Sequence, residues 1–129
     1  MYYKLLEDAE KGDEFLFFSL YSKISEEVEK AYSFYKLEYQ KERERKGIIV
    51  KGLAPREIKK FLFTEKWQKK SIKFADFPIP VNISIFRNKI AFTPWEKVPI
   101  CFLVHSQPLV DSFKHYFYSI WDNLKFEKN

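Results

Sequence analysis

Between Glu14 and Gly52 the apolar residues change their spacing twice, and few folds accommodate that order. Glu14 to Leu20 (EFLFFSL) is short, aromatic and almost continuously apolar, as in a strand covered on both faces. From Ser25 to Lys46 the positions Val28, Ala31, Tyr32, Tyr35 and Tyr39 fall at helical steps along one face. The ends of that segment agree: Ser25 can cap the first turn, Glu26 and Glu27 complement the positive end of the helix dipole, and Arg43, Arg45 and Lys46 complement its negative end before Gly47. Gly47 to Gly52 then reads as a second buried strand. Strand, helix and strand in succession predict a βαβ unit with a parallel strand pair.

The segment before this unit, with Leu5, Leu6 and Ala9 apolar and Gly12 at its end, reads as a short helix closed by a glycine. Pro55 is placed to open a second short helix within Ala54 to Lys66. Beyond Trp67 the period becomes two. Ile72 and Phe74 alternate with lysines, and Val81, Ile83 and Ile85 alternate with Asn82 and Ser84. Phe86-Arg87-Asn88-Lys89 is a turn into Ile90-Ala91-Phe92, a hairpin expected to have Asn88 at its tight position. Ile100 to Val104 reads as a buried strand. After it Ser106 caps and Pro108 opens a helix whose apolar face runs through Leu109, Phe113, Tyr116, Phe117, Ile120, Trp121 and Leu124. No repeat, linker or low-complexity tract divides the chain, so residues 1–129 are expected to form one α/β domain, a mixed central sheet flanked by helices.

The aromatic content, 14 Phe, 8 Tyr and 3 Trp, supplies enough large side chains to fill one core without disulfides or metal. The single cysteine, Cys101, has no partner within the chain and lies in an apolar run, so it reads as a core filler. No stretch reaches the ~20 consecutive apolar residues of a membrane span, and the N-terminus lacks the order of a secretory signal. A cytoplasmic protein with no membrane contact is expected. The net charge is +5, but Lys36 to Lys73 alone holds 13 Lys or Arg against 5 Asp or Glu, which leaves the remainder mildly acidic. A basic run of that kind serves either as a solvated helix face with intermixed acids or as a nucleic-acid surface.

Catalytic patterns are missing. His105 and His115 have no Cys, Asp, Glu or His at common metal-ligand spacings, so no metal is expected. Three glycines, Gly12, Gly47 and Gly52, cannot build a phosphate-cradling loop, and no nucleotide or other cofactor is expected. Cys101 and His105 on one strand would stand about 13 Å apart, too far for a nucleophile and its base. Glu26, Glu27 and Glu29 sit on a charged helix face, where solvation is the ordinary outcome.

From Pro80 to Trp121 the order is an alternating strand, a turn, a short strand, a buried strand and an aromatic helix ending Phe117-x-x-x-Trp121. That order resembles phospholipase-D-like proteins, with "VNISIFRNKIAF" standing where their catalytic His-x-Lys strand lies. Asn82 and Ser84 then occupy the histidine and lysine positions, and neither supplies a nucleophilic imidazole or a phosphate-binding cation. With "KGDEFLFFSL", "KGIIVKGLAPREI" and "VPICFLVHSQPLVDSFKHYFYSIWDNL" included, nearly the whole chain resembles the non-catalytic effector domain of TrmB-type transcription regulators, without their winged-helix region.

The resemblance implies a single-copy phospholipase-D-like domain that forms a homodimer, binds an unknown small-molecule effector and reaches DNA only through a separate winged-helix region. Asn82, Ser84 and Trp95 are the effector contacts it implies, with no catalytic residue. The competing expectations are a diverged phosphodiesterase or nuclease, which needs a His and a Lys converging in one cleft, and a nucleic-acid-binding module built on the basic run.

Overall fold

The computed structural model describes residues 7–18, 41–59, 70–80, 82–92 and 101–127. Six strands form one mixed sheet: β1 (Glu14–Phe18), β2 (Ile49–Pro55), β3 (Ile72–Ala75), β4 (Ile83–Phe86), β5 (Lys89–Phe92) and β6 (Phe102–His105), in the order β3-β2-β1-β4-β5-β6. β1 pairs in parallel with β2, with Glu14 beside Ile49 and Phe18 beside Leu53, and β2 pairs in parallel with β3. β4, β5 and β6 follow as an antiparallel meander on the other side of β1. The parallel pair is the one the two apolar runs predict, and the helical residues 41–46 lead into it. The rest of the Ser25 to Lys46 segment lies outside the described residues, as do Leu5 and Leu6, whereas residues 7–12 form turns with Gly12 at φ 93°.

The continuous apolar character of β1 follows from burial on both faces. Phe15 and Phe17 point to one side with Ala54, Ile72, Phe74, Phe86 and Ala91. Leu16 and Phe18 point to the other, where they meet Leu53, Ile83, Ile85, Ile90 and the closing helix, Gln107–Trp121. That helix starts as its sequence predicts: the Ser106 hydroxyl accepts from the Leu109 amide, with Pro108 in the first turn. It buries Val110, Phe117, Ile120 and Trp121 against the sheet.

One further expectation is met at its start, and two need correction. Pro55, with an extended backbone (φ −65°, ψ 140°), both ends β2 and caps the short helix its sequence predicts, which runs as a 3-10 helix over Arg56–Ile58 and continues at Lys59; residues 60–69 lie outside the described residues. β6 is not a buried strand but the last in the sheet's order, with Phe102 57% exposed. Cys101, just before it, packs half-buried against the core. In the β4–β5 hairpin the left-handed residue is Arg87 (φ 54°) rather than Asn88. Arg87 is held there by the carboxylates of Asp13, 2.7 Å from Nη1, and Asp8, 3.4 Å from Nε, which offsets a backbone cost of about 1–2 kcal/mol.

Candidate functional site

Because β1, β2 and β3 are parallel, their carboxyl ends open on one end of the sheet. In open α/β sheets that end, near the strand where the order reverses, is where ligands bind. Here the reversal is at β1, which has parallel β2 on one side and antiparallel β4 on the other. The connection from β3 to β4 must cross the ends of β2 and β1. Its first residues, Asp76 to Ile79, and the end of β2, Pro55 to Glu57, line a groove of about 450 Å³.

The groove combines apolar walls with one clustered set of charges. Pro55, Ala75, Pro78 and Ile79 are accompanied by Phe77, which is 47% exposed. Arg56 stands at the centre of the charges. Its Nε and Nη2 face the two carboxylate oxygens of Asp76, the latter contact at 3.3 Å, and its Nη1 donates to Glu127 Oε1. Lys59 Nζ donates to the same oxygen at 3.3 Å. Hydrogen bonding to Arg56 holds the Asp76 carboxyl below the usual aspartate range, and the two carboxylates hold the guanidinium above its own.

A second charged cluster lies on the helix-covered face, towards the amino ends of the parallel strands. Lys51 Nζ is 2.9 Å from Glu14 Oε2 and 3.1 Å from the Tyr118 hydroxyl, which itself donates to Glu14 Oε2. Burial pushes the Glu14 carboxyl up, but the hydrogen bonds from Tyr118 and Lys51 and the charge of Lys51 outweigh it and hold the group below the usual glutamate range. Burial and the bond to Glu14 push the Tyr118 hydroxyl up. These groups satisfy one another, so the cluster fastens the closing helix to β1 and β2 and offers no free nucleophile.

The cluster predicts a pH dependence. A carboxyl whose folded pKa is depressed adds stability above its unfolded pKa and loses it as pH falls through the folded value. Glu14→Gln is expected to cost about 1 kcal/mol at pH 7, and the difference should close as pH falls below about 4. Urea unfolding of both proteins from pH 7 to pH 3 measures it. A pH-independent gap would show that the carboxylate is not held by these partners.

The residues implied for effector contact do not share one environment. Asn82 stands half-buried at the entry to β4, at the carboxyl end of the sheet, with φ 64°, a conformation asparagine tolerates better than most residues. Ser84 is 2% exposed on β4, between Phe17 of β1 and Ala91 of β5. Neither lines the groove. Trp95 lies outside the described residues. Arg56 and Asp76 were legible only through the position rule for parallel strands, and Glu127, 71 residues from Arg56, carried no local signal.

Among the described residues most cations of the basic run are engaged within the molecule. Arg43 is buried over the Phe15 ring at 5.2 Å. Arg45 and Lys46 pair with Glu42, and Lys51 with Glu14. Arg56 and Lys59 hold Glu127, and Lys73 donates to the Trp121 carbonyl at 2.9 Å while lying 4.2 Å from its ring centre. Among the described residues no group of three or more His, Cys, Asp or Glu could hold a metal ion, and no helix is long and apolar enough to cross a membrane.

No family model and no curated protein matches the chain. Its fold is similar to that of TrmBL2, described as an archaeal chromatin protein with a novel mode of DNA binding, at a TM-score of 0.56 and 14% sequence identity. The match covers 96% of this chain and 49% of TrmBL2, so the chain spans about half the length of that neighbour.

Proposed function

We propose that this chain is a non-catalytic regulatory domain of the TrmB type, with a phospholipase-D-like fold, which dimerises, binds a small effector and acts on DNA through a winged-helix region supplied elsewhere. The observation that carries the reading is the fold likeness over 96% of this chain to half of a DNA-binding chromatin protein. The residue types support it. Phosphodiester transfer on this fold would need a nucleophilic imidazole and a cation on the strand at β4. By the sequence resemblance Asn82 and Ser84 would occupy those positions, and Ser84 is enclosed by the sheet. Of the proposed effector contacts, Asn82 is the one at the carboxyl end of the strands and Trp95 would be a wall, whereas Ser84 is enclosed by its neighbours in the sheet.

Among the described residues Arg43, Arg45, Lys46, Lys51, Arg56, Lys59 and Lys73 already have partners within the molecule, which favours the regulatory reading over a nucleic-acid module, since a counterion-releasing surface needs Lys and Arg that are not already neutralised. The test is a set of three measurements on the purified chain. Light scattering should give twice the chain mass, bis-p-nitrophenyl phosphate should not turn over, and duplex DNA should not bind at physiological salt. A monomer, or turnover that survives Asn82→Ala, would sink the reading. DNA affinity falling steeply with salt would replace it with the nucleic-acid module.

A further inference from the structure

The last described residues fold back from the closing helix to the groove. Phe126 packs edge-on against Trp121 with ring centres 5.5 Å apart and lies 5.1 Å from Lys73 Nζ. One residue on, the Glu127 carboxylate meets Arg56 and Lys59 beside the groove. The fit is lopsided: Oε1 accepts from both cations, while Oε2 is buried with no hydrogen-bond partner among the described residues. A buried, unsatisfied carboxylate oxygen carries a desolvation cost. An oxyanion not constrained by the chain could take the same two donors without that cost.

We infer that Arg56 and Lys59 form a carboxylate-binding site which Glu127 occupies as a tethered stand-in, and that a small monocarboxylic acid with an apolar body enters the groove, displaces Glu127 and releases the tail from Asp122 to Glu127. The inference rests on the effector-binding reading, names the effector's chemistry and moves its seat from Asn82 and Ser84, neither of which lines the groove, to Arg56 and Lys59. Charge selects the class. With Glu127 withdrawn, Arg56 keeps Asp76 as its partner and Glu57 lines the same groove, so a ligand with one negative charge replaces that of Glu127, whereas a phosphate dianion adds a second beside two carboxylates. The apolar body packs on Phe77, Pro78 and Ile79, and the exposure of Phe77 leaves room for it.

A tethered competitor lowers apparent affinity by the fraction of molecules in which it holds the site. Glu127→Gln keeps the shape and removes the charge, so phenylacetate should bind the variant roughly 3- to 10-fold more tightly than the wild type by calorimetry. Arg56→Gln should weaken binding more than about 10-fold. In a Trp67→Phe, Trp95→Phe background, phenylacetate should shift Trp121 emission as Phe126 leaves, and Glu127→Gln should show that shift before any addition. Equal affinity in wild type and Glu127→Gln, no saturable binding in either, or inorganic phosphate binding as tightly as phenylacetate would overturn the inference. A dimer without turnover that ignores phenylacetate loses this inference alone, and a monomer that binds it loses the regulatory-dimer reading alone.

Discussion

Phe117→Ala is expected to remove about 3–5 kcal/mol of folding stability, a large share of the roughly 5–15 kcal/mol that holds a typical domain together. Phe117 is fully buried at the middle of the closing helix. Its ring meets Phe18 edge-on at 5.6 Å, stacks on Trp121 at 5.6 Å and meets Tyr118 edge-on at 5.4 Å. It therefore joins the helix to the central strand and sets two of its own neighbours. Truncation forfeits the transfer of the ring from water and leaves a cavity that the rigid sheet beneath cannot collapse into. Urea unfolding followed by far-ultraviolet circular dichroism measures the loss. His115→Ala, exposed on the same helix, should stay within about 0.5 kcal/mol. A loss below about 1 kcal/mol for Phe117→Ala would mean that the helix is not seated on β1 as described.

The helix is also the element most plainly written in the sequence. Its period, its Ser106 cap and Pro108 are local signals, and local signals survive folding unchanged. The β4–β5 hairpin and the parallel β1–β2 pair were legible for the same reason. What was not legible depends on distant partners. Phe102 lies in an apolar run identical in kind to that of β1, and only the strand order leaves it half exposed at the sheet's end. Asn88 is the better residue for a left-handed turn, yet Arg87 takes that conformation because Asp8 and Asp13 lie within reach of its guanidinium. In the groove, Arg56 reads as one more charge in a basic run until Asp76 and Glu127, 20 and 71 residues away, arrive beside it. Alternation placed Ser84 correctly on one face of a strand, but that Phe17 and Ala91 enclose that face is a fact of the whole sheet.

Gly52→Val should be comparably damaging, for a reason of packing rather than backbone freedom. Gly52 is buried in β2 beside Phe17 of β1 and Ile72 of β3, and it does not use a left-handed conformation. A Cβ built on it would overlap the Phe17 ring. That ring has little room to swing, since Phe15 lies 6.2 Å away and Ala54, Ile72 and Phe74 complete the same cluster. Overpacking of this kind costs about 1–3 kcal/mol for a small insertion, and valine's three carbons should reach the upper end of that range or pass it. Thermal unfolding should then shift down by roughly 10 °C, taking about 4 °C per kcal/mol at this chain length. The cause can be isolated by a second change. Phe17→Ala alone should destabilise by about 3–5 kcal/mol through its cavity, whereas in Phe17→Ala/Gly52→Val the valine partly fills that cavity. The double variant should therefore be more stable than the sum of the two losses by at least about 1 kcal/mol. Strict additivity would mean that ring and glycine are not in contact, and with that the register of the central parallel pair would have to be redrawn.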